Sequence, residues 1–305
     1  EMFHSWNVKR LRPADLVPYR YDRPQPTPLL WVSEGITDYY ADLVLVRGGV
    51  SDSAGFLEVT QGKIQNVVDN PAVALPDASL TTWIHPLDGT DYLYYDKGSL
   101  AGLLLDILIR DASNNRRSLD DVMRSLYRST YRRGKGFTTA AFWAAVSRAA
   151  GGKSFADFAA RYVDGREPFP WPAVAPLAGL ALQSDSVLLP RLGISTLADS
   201  TLVMVTAVTT GGAANEAGIA PGDQLVRVGE IEIRDDNWGA AFRARYGGAE
   251  GTVVPVVVRR IGAETSLPTL VRREWVTAVT LEFDPRAGEK AARIRSGILR
   301  GTVNR

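Results

Sequence analysis

Apolar and polar positions follow two different periods along the chain. In "LLWVSEGITDYYADLVLVRGG" (Leu29 to Gly49) apolar residues recur at helical spacing and stop at a glycine pair, which predicts one helix with a C-terminal stop. "YYDKGSLAGLLLDILIRDAS" predicts a strongly apolar helix and "FTTAAFWAAVSRAAG" another. Ser118 with Asp121 three residues on, and Ser154 with Asp157, give capping-box-like helix starts. Residues 1–165 therefore predict an all-α bundle. At "REPFPWPAVAPLAG" (Arg166 to Gly179) prolines forbid a continuing helix and mark a linker. Beyond it, "TLVMVTAV", "DQLVRVGEIEI", "TVVPVVVRR" and "WVTAVTLEF" are β-branched runs between glycine turns, the strands of a small β-rich domain over residues 180–285. Residues 286–305 read as a polar, basic tail with a poorly ordered end. The expected fold class is multidomain α+β.

Composition removes several chemistries. A chain of 305 residues, 45% hydrophobic and 23% charged, is globular in character and has room for two domains. A net charge of +1 gives no footprint for nucleic acid or a membrane surface, so Arg116-Arg117 and Arg132-Arg133 read as solvated helix ends. No apolar stretch approaches the ~20 residues that span a bilayer. Without cysteine there is no thiol nucleophile, no cysteine-held metal and no disulfide. His4 and His85 are the only histidines, so a zinc site within the chain must combine them with carboxylates. The compartment stays open between bacterial periplasm and cytoplasm, leaning to the periplasm.

Three segments carry candidate chemistry. "EMFHSW" has the spacing of the last four residues of HExxH, in which the glutamate is a general base beside a zinc-bound water and the histidine is a ligand. Taken alone, Glu1 and His4 read as a surface pair at a helix start rather than as a metal motif. "WVSEGITDYY" places Glu34 and Asp38 on consecutive turns of one helix, where the first can complete a zinc site and the second can orient a ligand. The same pair also suits the wet face of an ordinary helix. "YLYYDKGSL" offers tyrosines, and a phenol beside zinc can donate to the oxyanion formed when water attacks a peptide carbonyl. A tyrosine cluster also packs well against an apolar helix.

Downstream, "TTGGAANEAGIAPGDQLVRVGEIEI" sets small residues, Ala-Gly-Ile, two residues, Gly-Asp and an apolar strand in the order that resembles a PDZ domain over about 100 residues. PDZ domains add an extended peptide to a sheet edge and receive its terminal carboxylate on a loop's backbone amides. The resemblance assigns that loop to "RLGIS", with Leu192, Gly193 and Ile194 at the turn. A domain of this kind that only packs and binds no peptide remains an open alternative.

Glu-x-x-His-Ser-Trp-Asn-Val-Lys-Arg, then Leu-Trp-Val-Ser-Glu-Gly, then Tyr-Tyr-Asp-Lys-Gly, followed by a PDZ-like domain, resembles the glycyl aminopeptidase family of zinc metallopeptidases, gluzincins with a thermolysin-like helical subdomain. The resemblance implies Glu1 as general base, His4 and Glu34 as zinc ligands and Asp38 as a companion that orients them. Tyr95 corresponds to an oxyanion-stabilising tyrosine of the related alanyl aminopeptidases. His85 matches no ligand and falls in a loop. Peptides with an unblocked N-terminal glycine or alanine are the implied substrates. The first histidine of HExxH would precede Glu1, so the 305 residues are expected to be a C-terminal portion. Alone they would bind zinc weakly and show little activity, and the partner that completes them would be the missing N-terminal half. The rival expectation is a non-catalytic, peptide-binding PDZ scaffold.

Overall fold

The computed structural model describes residues 2–84, 90, 92–198, 202–235 and 237–304, so Glu1 and His85 lie outside the described residues. In chain order it runs through a 3-10 turn (Met2–Ser5), a π-helical turn (Trp31–Gly35) leading into α1 (Ile36–Arg47), α2 (Ser53–Asp69), α3 (Leu75–Thr81), α4 (Leu93–Ala112), α5 (Leu119–Ser129) and α6 (Thr139–Ala149). The short helices α7 (Ala156–Phe158) and α8 (Trp171–Val174) precede β1 (Leu180–Arg191), β2 (Ile194–Ala198), β3 (Val203–Val208) and α9 (Ala213–Glu216). Then come β4 (Gln224–Val228), β5 (Ile231–Glu232), α10 (Trp238–Tyr246), β6 (Val253–Arg260), β7 (Ala263–Leu270), β8 (Arg272–Phe283) and α11 (Glu289–Arg300). Two compact units result: the described residues up to 84, from 90 to 184 and from 279 on form the first, and those from 185 to 278 the second.

The first unit is organised round α4. Leu100, Ala101, Leu103, Leu104, Leu105, Ile107 and Ile109 are all buried, and a helix apolar on every face is stable only when other helices enclose it. Near its C-terminal end, Asp106 (1% exposed) accepts hydrogen bonds from Tyr39 Oη (3.0 Å), Arg110 Nε (3.1 Å) and Leu119 N (2.8 Å). A carboxylate brought inside in this way has the partners that burial demands. The Ser118–Asp121 capping box forms and starts α5.

Four elements differ from the sequence expectation, each for a physical reason. α2 was not visible because its buried stripe is Phe56, Thr60, Lys63 and Ile64, half of it polar. Ser154 does not build a capping box, and the residue ahead of α7 is Phe155. The stretch expected to be a linker is folded into the first unit: prolines start its short helices, and Phe169, Trp171, Val174, Ala175 and Ala178 are buried. The expected tail forms α11, which buries Ile294, Gly297 and Ile298, while Arg47 donates to the Ile298 carbonyl at 2.9 and 3.0 Å. Tail and linker therefore belong to the helical unit's core, and the chain changes unit within β1 and β8.

The second unit is an antiparallel sheet in the order β2-β3-β4-β6-β7, with β5 pairing β4 off that path. Its core joins Leu192, Val205, Leu225, Val256 and Val258 to Ile219 and to Phe242 and Tyr246 of α10. In "GIAPGD" the turn needs a left-handed Gly222 (φ 89°), after which Asp223 is gripped by Arg260 Nε (2.6 Å) and Nη2 (2.7 Å). The guanidinium holds the Asp223 carboxyl below the usual carboxylate range.

Candidate functional site

The site begins with a helix that does not start as an α-helix. In the π turn the Ile36 N–H reaches back five residues to the Trp31 carbonyl, which changes the usual pairing of the neighbouring carbonyls. Asn7, 1% exposed, supplies what they lack: its Nδ2 donates to Val32 O (2.9 Å), Ser33 O (3.3 Å) and Thr37 Oγ1 (3.1 Å). The Asn7 carbonyl in turn accepts from His4 Nδ1 at 2.8 Å. A carbonyl can only accept, so the proton sits on Nδ1 and His4 Nε2 is turned the other way. Stacking of Phe3 on Tyr40, with ring centroids 4.4 Å apart, fixes the same turn against α1.

Opposite Nε2 stands Glu34, carried on the π turn, with its Oε2 3.2 Å away. Tyr95 of α4 reaches it because the π turn and α4 cross almost backbone to backbone. A Cβ on Gly35 would come within 2.6 Å of Gly98 Cα and of the Tyr94 carbonyl oxygen, and one on Gly98 within 2.8 Å of the Trp31 carbonyl oxygen. Only glycine permits that approach. It brings the Tyr95 hydroxyl to donate to Glu34 Oε2 at 3.0 Å. Burial first, and then the Glu34 charge, push the Tyr95 phenol far above its ordinary range, so it keeps its proton and stays a donor.

Three of the expected site residues thus converge on one oxygen. The side chains of His4 and Glu34 are 27% and 18% exposed, so the pair is reached by solvent. With Nδ1 protonated, Nε2 against a carboxylate is attractive only if Nε2 is itself protonated or a cation lies between them. Asp38 is placed elsewhere: among the described residues its carboxylate is paired with Lys63, which also bonds Asp42 Oδ2 (2.5 Å) and Ser99 Oγ (3.0 Å). The companion role expected of Asp38 therefore has no contact behind it. Glu1 lies outside the described residues, and among those described no group of three His, Cys, Asp or Glu is arranged to hold a metal. Asn7, Gly35 and Gly98 were not singled out from the sequence. Gly35 and Gly98 could have been, since a glycine inside a helical pattern marks a close approach.

In the second unit Leu192 is buried, Gly193 takes φ 74° and Ile194 opens β2. Beside them a cavity of about 90 Å³ is lined by Leu192, Ile194, Trp238 and Phe242, with Arg191 and Arg243 also on its wall.

Residues 1–101, which hold the His4–Glu34–Tyr95 cluster, match the family model of the M61 glycyl aminopeptidase. This segment belongs to the M61 glycyl aminopeptidase family. An aminopeptidase N family protein from Idiomarina loihiensis has a similar structure, with a TM-score of 0.72 and 20% identity over 97% of this chain and 53% of that one. The M61 segment and the residues after it thus share an aminopeptidase N-like fold, and the chain spans about half the length of that relative. The HtrA-type protease AlgW with a decapeptide (TM-score 0.26, 23% identity) and a serine endoprotease from Yersinia pestis (0.25, 21%) each overlap 29% of this chain and 30% of their own, too little to assign a fold. No curated protein sequence matches the chain significantly. Among the described residues no helix is long and apolar enough to cross a membrane.

Proposed function

We propose that the first unit carries part of the active site of a zinc-dependent aminopeptidase, with His4 and Glu34 as two protein ligands and Tyr95 as oxyanion donor. The observation that carries this is the convergence of His4 Nε2 and Tyr95 Oη on Glu34 Oε2, with the imidazole's other nitrogen tied to Asn7. The donor set fits the ion: nitrogen and oxygen ligands ~2.0–2.1 Å from a tetrahedral zinc stand ~3.3 Å apart, and His4 Nε2 and Glu34 Oε2 stand 3.2 Å apart. When bound, zinc supplies Lewis acidity and a water of lowered pKa.

The chain's own residues do the rest. Hydrogen bonding to Asn7 keeps the Nε2 lone pair of His4 aimed at the site. Glu34 brings a negative charge, and its bond from Tyr95 orients the carboxylate. As substrate carbonyl charge develops, the Tyr95 hydroxyl, held protonated by its surroundings, turns its one O–H from Glu34 to the oxyanion. Glu1, by family resemblance, takes a proton from the attacking water onto its carboxylate and delivers it to the leaving amine. Short peptides with a free N-terminal glycine or alanine are the substrates that resemblance suggests. The test is zinc content and glycyl-peptide hydrolysis of the full-length protein with and without Glu34→Ala. Loss of both supports the assignment, and retention of both refutes it.

We further propose that the second unit is a PDZ domain and that its small cavity takes a peptide's terminal side chain. At about 90 Å³, the cavity has about three water volumes, the size of one apolar side chain. A non-catalytic scaffold would bind such a peptide while the unaltered full-length protein showed neither zinc nor hydrolysis.

A further inference from the structure

The motif that supplies Tyr95 also contains Lys97, which the peptidase chemistry does not use. Two residues further along α4 is a turn of about 200°, so Lys97 leaves the helix on a side away from Glu34. It is 4% exposed, its Nζ donates to the Val73 carbonyl at 2.5 Å, and it lies 5.7 Å from the Phe169 ring centroid. No carboxylate among the described residues forms an ion pair with it. The nearby Glu167 is taken by Arg161 (2.7 Å) and Asp77 by Arg166 (3.0 Å). An ammonium has three donors, and one acceptor is present. Lys63, also buried, is by contrast paired with two aspartates.

Lys97 forms part of the wall of a cavity of about 270 Å³ whose other lining includes Ile64, Val73, Phe169 and Trp171. Arg166 and Glu167 also line it, but their charges are already answered by Asp77 and Arg161, which leaves Lys97, among the described residues, as the charge without a counter-ion. We propose that this cavity is a second ligand site, for a small apolar monocarboxylate whose carboxylate pairs with Lys97. Its volume equals about nine waters, room for a ligand of about that many heavy atoms. One ammonium neutralises one carboxylate, whereas a dianion would keep a buried surplus charge and a neutral molecule would leave the ammonium unanswered. Burial already pushes the Lys97 amine down to about 8, the response of a buried cation that lacks a counter-charge.

Octanoate, octanol and octylamine share one tail and differ in the charge of the head. Titration calorimetry of the full chain is expected to give one octanoate site, at least tenfold tighter than octanol and octylamine. Lys97→Met is expected to bring octanoate down to the octanol affinity. Val68→Trp, at the exposed edge of the cavity, should weaken both. Octanoate binding no tighter than octanol in the unaltered protein, or surviving unchanged in either variant, overturns the proposal. The comparison of head groups needs no substitution, so it decides the matter even where a variant misfolds.

Discussion

α4 serves two acidic clusters, and they differ in how completely they are satisfied. At its C-terminal end Asp106 accepts from a phenol, a guanidinium and a backbone amide and is 1% exposed. At its N-terminal end Glu34 accepts from Tyr95, faces an imidazole nitrogen and has an 18% exposed side chain. The first cluster has charge and hydrogen bonds in balance and holds helices together. The second has an imidazole nitrogen and a carboxylate oxygen 3.2 Å apart on partly exposed side chains. In the proposed site a cation takes up the second pair, whereas the first is a structural ion pair.

The comparison breaks first if activity does not follow the second cluster. Glu34→Ala is expected to lower peptide hydrolysis by the full-length protein at least about 10⁴-fold, because zinc is lost with the ligand; kcat/KM on a glycyl substrate measures it. Asp106→Ala should do the reverse, costing about 3–5 kcal/mol in urea unfolding through an uncompensated Arg110, with zinc content per folded molecule unchanged. Tyr95→Phe keeps the ring and removes one donor, so kcat should fall about 10²–10³-fold with zinc retained. Gly98→Ala forces the π turn and α4 apart and should cost about 2–3 kcal/mol of stability by thermal unfolding, with metal affinity falling alongside.

The smallest effect concerns the third buried charge on α4. Lys97 is pushed from its ordinary 10.5 to about 8 in the folded protein. Between those values the unfolded chain binds more protons, so stability rises with pH across that window. Below it, the full cost of the buried charge is present. Relative to Lys97→Met, the protein should gain on the order of 2–3 kcal/mol from pH 8 to pH 10.5, read from urea midpoints.

The sequence made one kind of information legible and hid another. His4, Glu34 and Tyr95 could be named because the resemblance rests on short runs of residues around each of them, and their order along the chain is a local fact. Asn7, Gly35 and Gly98 work through segments that meet only in the fold, Gly35 and Gly98 standing over sixty residues apart in sequence. Nothing in the local pattern announces which carbonyls a π turn will leave for Asn7. The helices α2 and α11 were missed because their buried stripes contain Thr60, Lys63 and Gly297, where period alone sees polar or neutral positions. The β-rich half was easier, since its strands are β-branched runs between glycines.

The central claim is that His4 and Glu34 act on one ion, and a double-mutant cycle on zinc affinity tests it most directly. Zinc titration of the full-length protein, His4→Ala, Glu34→Ala and the double variant gives the four affinities. Two ligands of one site should be strongly non-additive, each single substitution weakening zinc nearly as much as both together. Losses that simply add, or an affinity indifferent to either residue, would contradict the account.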